Sequence, residues 1–203
     1  VSIDALASLY GGKVARQRRA LAGNIGGQER TQEVRTPPEI LAAASEAMNG
    51  IRHDPCAASD PAVWFAERNE TLPPEAQTLV EQLAAAESKS DKKRLKSLLK
   101  PYYLALPDSV EDGTFLNPPF DFLAPWMSLA AHEGLEGKRV VLLAPVRTHR
   151  RWFTRYAAGA SGVWLAPLPF VGQKQAFPAP LCLLARNCVI PPLGRLETGR
   201  FVL

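Results

Sequence analysis

Asn117-Pro118-Pro119-Phe120 is the stretch of this chain whose residue types best suit chemistry, and it follows a strand-like run, Gly113-Thr114-Phe115-Leu116. The Asn side-chain oxygen and the carbonyl of the first Pro can both accept hydrogen bonds from one NH₂ group. Proline has no N–H to set against that amine, and its fixed φ stiffens the loop. The aromatic ring adds a flat face on which a nucleobase or an amide can stack. Such a loop holds a planar amine still, and the chemistry it suits is methyl transfer to an amino group.

Two more loops have related properties. Thr36-Pro37-Pro38-Glu39 reads as the start of a helix, with Pro in the first turn and an acid behind it. Asp54-Pro55-Cys56-Ala57 follows a short strand expected at 51–53. In an open α/β sheet, ligands sit at the carboxyl ends of strands, the position both of Asp54 and of Asn117. A helix N-terminus at Thr36 suits the carboxylate of an amino-acid-like ligand. Asp54 has the charge to accept from an α-amino group or a ribose hydroxyl. S-adenosylmethionine carries all three groups. Each motif also has a plain reading: a helix start at Thr36-Pro37-Pro38, and a turn at Asp54-Pro55. Trp126, Trp152 and Trp164 read more simply as core residues than as stacking platforms. Asn117, set between a buried strand and two prolines, calls for a specific donor or acceptor task.

The elements that must hold these loops follow from periodicity. Residues 37–48 form a helix with Ile40, Leu41, Ala44 and Met48 on one face, and residues 60–69, carrying Trp64 and Phe65, read as a second. Residues 70–100 read as an inserted helical hairpin bounded by Pro73-Pro74 and Pro101, with Leu79, Leu83 and Ala86 on one helix and Lys92, Lys93, Arg94, Lys96 and Lys100 decorating the other. Helices are expected at 122–135 and 148–158, and strands at 114–117, 139–145, 162–165 and 180–185. The run Val140-Val141-Leu142-Leu143 is continuously apolar, as in a strand buried on both faces. The alternation of strand and helix points to an α/β fold with a mostly parallel central sheet, helices on both faces and a terminal antiparallel hairpin. Residues 1–35 read as a flexible basic arm, broken at Gly23-Asn24-Ile25-Gly26-Gly27 and almost wholly polar over 28–35.

The bulk numbers allow one good core: 203 residues, 46% hydrophobic and 22% charged. The net charge of +4 conceals three basic clusters, at 13–19, 89–100 and 147–155. A polyanionic partner would account for them, as would ordinary solvated surface. Cys56, Cys182 and Cys188 form no Cys-x-x-Cys pattern, and His53, His132 and His149 show no ligand spacing, so no metal is expected. Odd cysteine usage suits a reducing compartment. No apolar run approaches the roughly 18 residues of a membrane span, and no secretory signal opens the chain. The chain begins at Val1 rather than Met, so a natural start or short leader is expected before it.

In this order and spacing, the motifs resemble the phage-type DNA N-6-adenine methyltransferases. The similarity runs through Thr-Pro-Pro-Glu at 36–39, Asp-Pro-Cys-Ala at 54–57 and Phe-Leu-Asn-Pro-Pro-Phe at 115–120. It continues in Trp126, Val140-Val141-Leu142-Leu143-Ala144-Pro145 and Thr148-His149-Arg150-Arg151-Trp152-Phe153, and ends with Phe170-Val171-Gly172-Gln173 to Phe177-Pro178-Ala179-Pro180-Leu181. The resemblance implies a Rossmann-like methyltransferase domain over 36–190 with a helical basic insert at 70–100, leaving 191–203 as a tail. It implies S-adenosylmethionine bound by Thr36, Pro37, Pro38, Asp54, Pro55, Cys56 and Ala57, with catalysis at Asn117, Pro118, Pro119 and Phe120. Double-stranded DNA would be the partner, its phosphates held by Lys92, Lys93, Arg94, Lys96, Arg150 and Arg151. The setting implied is the cytoplasm of a bacterial host, with a phage or prophage gene. Two departures stand out. Phe120 replaces the family's usual Tyr, and no Gly-x-Gly turn occupies the place where many methyltransferases hold the methionine end of the cofactor. The alternatives are another amine acceptor (cytosine, RNA or a protein glutamine), or an inactive methyltransferase-like protein that binds DNA.

Overall fold

A computed structural model describes residues 36–57, 65–171 and 176–202. The arm expected over 1–35, Trp64 and the Gly172-Gln173 turn lie outside these residues. The first helix, α1, is Pro38–Met48; it buries Ile40, Ala43, Ala44 and Met48, spaced to form one face. It ends on Asn49 at φ 60, and the Gly50 N–H returns to the Ser45 carbonyl at 2.8 Å. Strands β1 (His53–Asp54) and β2 (Arg68–Asn69) follow, then the helical hairpin α2 (Pro74–Ala85) and α3 (Lys89–Leu104). Next come β3 (Thr114–Leu116), a 3₁₀ turn at Phe120–Phe122, α4 (Leu123–Leu135) and β4 (Val140–Pro145). The chain closes with α5 (Arg151–Ala157), β5 (Ser161–Leu165), β6 (Leu181–Arg186), a 3₁₀ turn at Gly194–Leu196 and β7 (Glu197–Val202).

The strands form one seven-stranded mixed sheet in the order β2-β1-β3-β4-β6-β5-β7. The first four positions are parallel, and β6 runs antiparallel between β4 and β5. Alternation along the strands fills two faces. Phe115, Val141 and Leu143 pack with α1, while Leu116, Val140, Leu142 and Ala144 pack with α4 and α5 through Trp126, Met127 and Phe153. Arg139 ties the layers at the start of β4: its guanidinium and backbone N–H donate to Asp112, and Nη1 donates to the Met48 carbonyl at the end of α1.

Several boundaries differ from the sequence reading. The helix expected through Asn69 gives way to β2, because Arg68 N–H donates to the Arg52 carbonyl at 2.7 Å and Glu70 N–H to the Asp54 carbonyl at 2.8 Å. Pro101 does not end the insert: α3 runs on to Leu104, since Leu99 and Tyr103 stay buried against α2 while Pro101 faces solvent. The helix expected from Thr148 starts at Arg151. The expected tail contains β7, which pairs antiparallel with β5 and stacks Phe201 on Trp164 at 4.0 Å.

Candidate functional site

The chain steps outward from β1 to β2, then crosses back over β1 to β3 and β4, so the strand order reverses between β1 and β3. The carboxyl ends of those two parallel strands carry the loops that begin at Asp54 and Asn117. A crevice at such a reversal is where open α/β sheets take their ligands.

All three sequence motifs meet at Asn117. From the β3 side, the loop leaves a strand whose residues are all buried; Pro118 is buried and Asn117 half-buried. From the α1 side, Asn117 Nδ2 donates to Thr36 Oγ1 at 2.9 Å, across 81 residues of sequence. From the β1 side, the Asn117 backbone N–H faces the Cys56 sulfur. Burial and the neighbouring Asp54 push the Cys56 thiol well above its ordinary pKa, with the Asn117 N–H opposing them.

Asp54 is 4% exposed, and its Oδ1 accepts from the Cys56 N–H at 2.9 Å. Burial pushes its pKa from 3.8 up to about 7, against the lowering effect of that hydrogen bond. Among the described residues, the Cys56 N–H is the hydrogen-bond donor to this buried carboxyl, which stands at the carboxyl end of β1. Its cross-strand neighbour is Asn69, whose Nδ2 donates to the Ala66 carbonyl at 2.7 Å while its buried Oδ1 has no partner. Glu70 stands just beyond β2, its carbonyl accepting from Ala57 N–H at 3.0 Å and its Oε1 lying 3.1 Å from His53 Nε2. Sequence reasoning missed both Asn69 and Glu70, because the two-residue strand that presents them has no apolar alternation to reveal it.

Phe120 is half-buried against Phe177, ring centroids 5.1 Å apart and nearly perpendicular, and against Phe170 at 6.2 Å. These partners come from the segment between β5 and β6, so the loop's aromatic is braced by the far half of the sheet. Thr36 is buried but does not cap α1: the N-cap is Pro37, with no side-chain hydrogen bond to the helix.

The basic residues fall into two groups. Lys92, Lys93, Arg94 and Lys96 lie on α3, whose Ser88 cap accepts from the Asp91 N–H at 3.0 Å. That helix reaches the Asn117 loop through the turn after it: Lys96 Nζ is 3.5 Å from Asp121 Oδ2, and Tyr103 stacks on Phe122 at 5.5 Å. Arg150 and Arg151 are exposed at the start of α5, after the carboxyl end of β4. Among the described residues, no cluster of His, Cys, Asp and Glu is placed to hold a metal, and no helix is long and apolar enough to cross a membrane. Comparisons with protein-family models, curated proteins and solved structures find no match.

Proposed function

We propose that this chain is an S-adenosylmethionine-dependent methyltransferase of Rossmann-like fold that modifies the exocyclic amine of adenine in double-stranded DNA. The observation that carries the reading is the convergence of Thr36, Cys56 and Asn117 at the strand-order reversal. This convergence supports reading the Asn117 loop as a clamp for a planar amine, with the buried carboxyl of Asp54 at the end of the neighbouring strand.

The residues at this edge fit the cofactor's polar groups. Asp54 and the unpartnered Asn69 Oδ1 offer acceptors to an ammonium or a hydroxyl, whereas Glu70 Oε1 is already paired with Arg68 and His53. When bound, S-adenosylmethionine would supply an electrophilic methyl group. Asn117 Oδ1 and the Pro118 carbonyl would accept from the target NH₂, turning the nitrogen lone pair toward that methyl and stabilising the positive charge that develops on nitrogen. Phe120, braced by Phe170 and Phe177, would stack on a base flipped from the duplex. No strong base is required, since the proton leaves after the amine has become a cation. Lys92, Lys93, Arg94, Lys96, Arg150 and Arg151 would hold phosphates. The test is transfer of a labelled methyl group to DNA by wild type and by Asn117→Ala. Incorporation is expected only with wild type, and equal incorporation by both would overturn the assignment of Asn117.

A further inference from the structure

We infer that Asn69 is the proton partner of Asp54: in the free protein the Asp54 carboxyl donates to Asn69 Oδ1, and a cationic ligand displaces that proton on binding. The second half rests on the methyltransferase reading of the site. Asp54 and Asn69 are register partners on the parallel strands β1 and β2, so their side chains leave the same face of the sheet about 5 Å apart. The direction of the amide is fixed, because its Nδ2 donates to the Ala66 carbonyl at 2.7 Å and a carbonyl can only accept. Oδ1 is the other end, and among the described residues this buried oxygen has no donor. On the Asp54 side, Oδ1 accepts from the Cys56 N–H, which leaves Oδ2 to carry a proton. Two buried oxygens side by side repel unless one brings a hydrogen, and a proton on Asp54 Oδ2 satisfies both.

The surroundings favour that proton. Phe115, beside Asp54 on β3, and Ile40 and Ala44 of α1 are the apolar groups on this face, and the α1 carboxyls Glu39 and Glu46 lie off the helix's buried side. His53 alternates to the opposite face, where it, Glu70, Arg68 and Glu111 bond to one another. The Cys56 thiol on the same loop is itself pushed toward its neutral form. Burial raises the Asp54 pKa to about 7, so the group holds its proton in weakly acidic solution. A cationic ligand exchanges with it one for one. The ligand's N–H groups donate to Asp54 Oδ2 and Asn69 Oδ1, the carboxylate matches its charge, and the proton leaves to solvent.

The experiment follows the Asp54 and Asn69 Cγ signals by carbon NMR from pH 5 to 8, free and with saturating S-adenosylmethionine. In the free protein both signals should move with one midpoint near 7. Asn69→Leu should lower the Asp54 midpoint by about one pH unit, the scale of one lost hydrogen bond. An apolar side chain of similar size keeps the carboxyl dry and alone would raise the midpoint, so the sign separates the two effects. In the complex at pH 6, Asp54 should read as ionised, and affinity by calorimetry should rise about tenfold from pH 5 to pH 6. A midpoint unchanged or raised in Asn69→Leu would overturn the pairing. So would an Asn69 signal indifferent to the Asp54 titration, a reading that needs only wild type should the Leu variant not fold. An Asp54 still protonated in the complex at pH 6 would overturn the displacement. The two readings fail separately: if S-adenosylmethionine does not bind yet both signals share one midpoint that Asn69→Leu lowers, the proposed function falls and the pair stands.

Discussion

Asp54→Asn should make the protein more stable in proportion to pH while destroying its ability to bind a cationic ligand. The carboxyl is buried, and its pKa is raised from 3.8 in the open chain to about 7 in the fold. Below pH 3.8 both states hold the proton and the group contributes nothing. Between pH 3.8 and about 7 the unfolded chain ionises while the folded one does not, so stability falls with rising pH. The slope is about 1.4 kcal/mol per pH unit. Above pH 7 the full penalty is in place, about 4 kcal/mol for a shift of this size. Asparagine keeps an Oδ1 to accept from the Cys56 N–H and cannot ionise. The stability difference between Asp54→Asn and wild type should therefore grow by about 2 to 3 kcal/mol from pH 5 to pH 8. Urea unfolding at several pH values measures it, and the other titrating groups cancel in the difference. A difference flat across that range would refute the claim that Asp54 is desolvated. The same variant should no longer bind S-adenosylmethionine in calorimetry, a gain in stability coupled to a loss of function.

The basic helix should act through salt. Replacing Lys92, Lys93 and Arg94 with Glu is expected to weaken binding to duplexes of any sequence and to flatten the dependence of log K on log salt, by about one unit for each phosphate no longer neutralised. Fluorescence anisotropy over a salt series reads both effects. Gly162→Ala should destabilise the fold by about 1 to 3 kcal/mol. The added Cβ would lie 2.4 Å from the Leu183 carbonyl oxygen and 2.5 Å from the Phe201 ring, forcing β5 from its neighbours, and thermal unfolding would register the drop.

Legibility in the sequence followed the range of the forces involved. The apolar run at Val140–Pro145 and the α1 face at Ile40, Ala44 and Met48 announce themselves, because burial repeats at a fixed local period. The loop at Asn117 stands out by residue type alone, an amide set between a buried strand and two prolines. Arg68–Asn69 is hidden, since backbone hydrogen bonds to a neighbouring strand make it a strand and its side chains are polar. Pro101 misleads for the opposite reason: it is a strong local breaker, yet it sits in a last turn whose neighbours Leu99 and Tyr103 are held by α2. The edge strand Glu197–Val202 resembles a tail because only its inward Phe201 is a large apolar residue packed against the sheet. The hydrogen bond between Thr36 and Asn117 spans 81 residues, and no local pattern encodes it.

The most direct test of the central claim is the identity of the methylated product. Amplified, unmethylated DNA of mixed sequence would be incubated with the protein and S-adenosylmethionine, digested to nucleosides and analysed by mass spectrometry. N6-methyldeoxyadenosine should appear with wild type and be absent with Asn117→Ala. A methyl group on cytosine, or no methylated nucleoside beyond the Asn117→Ala background, would contradict the account.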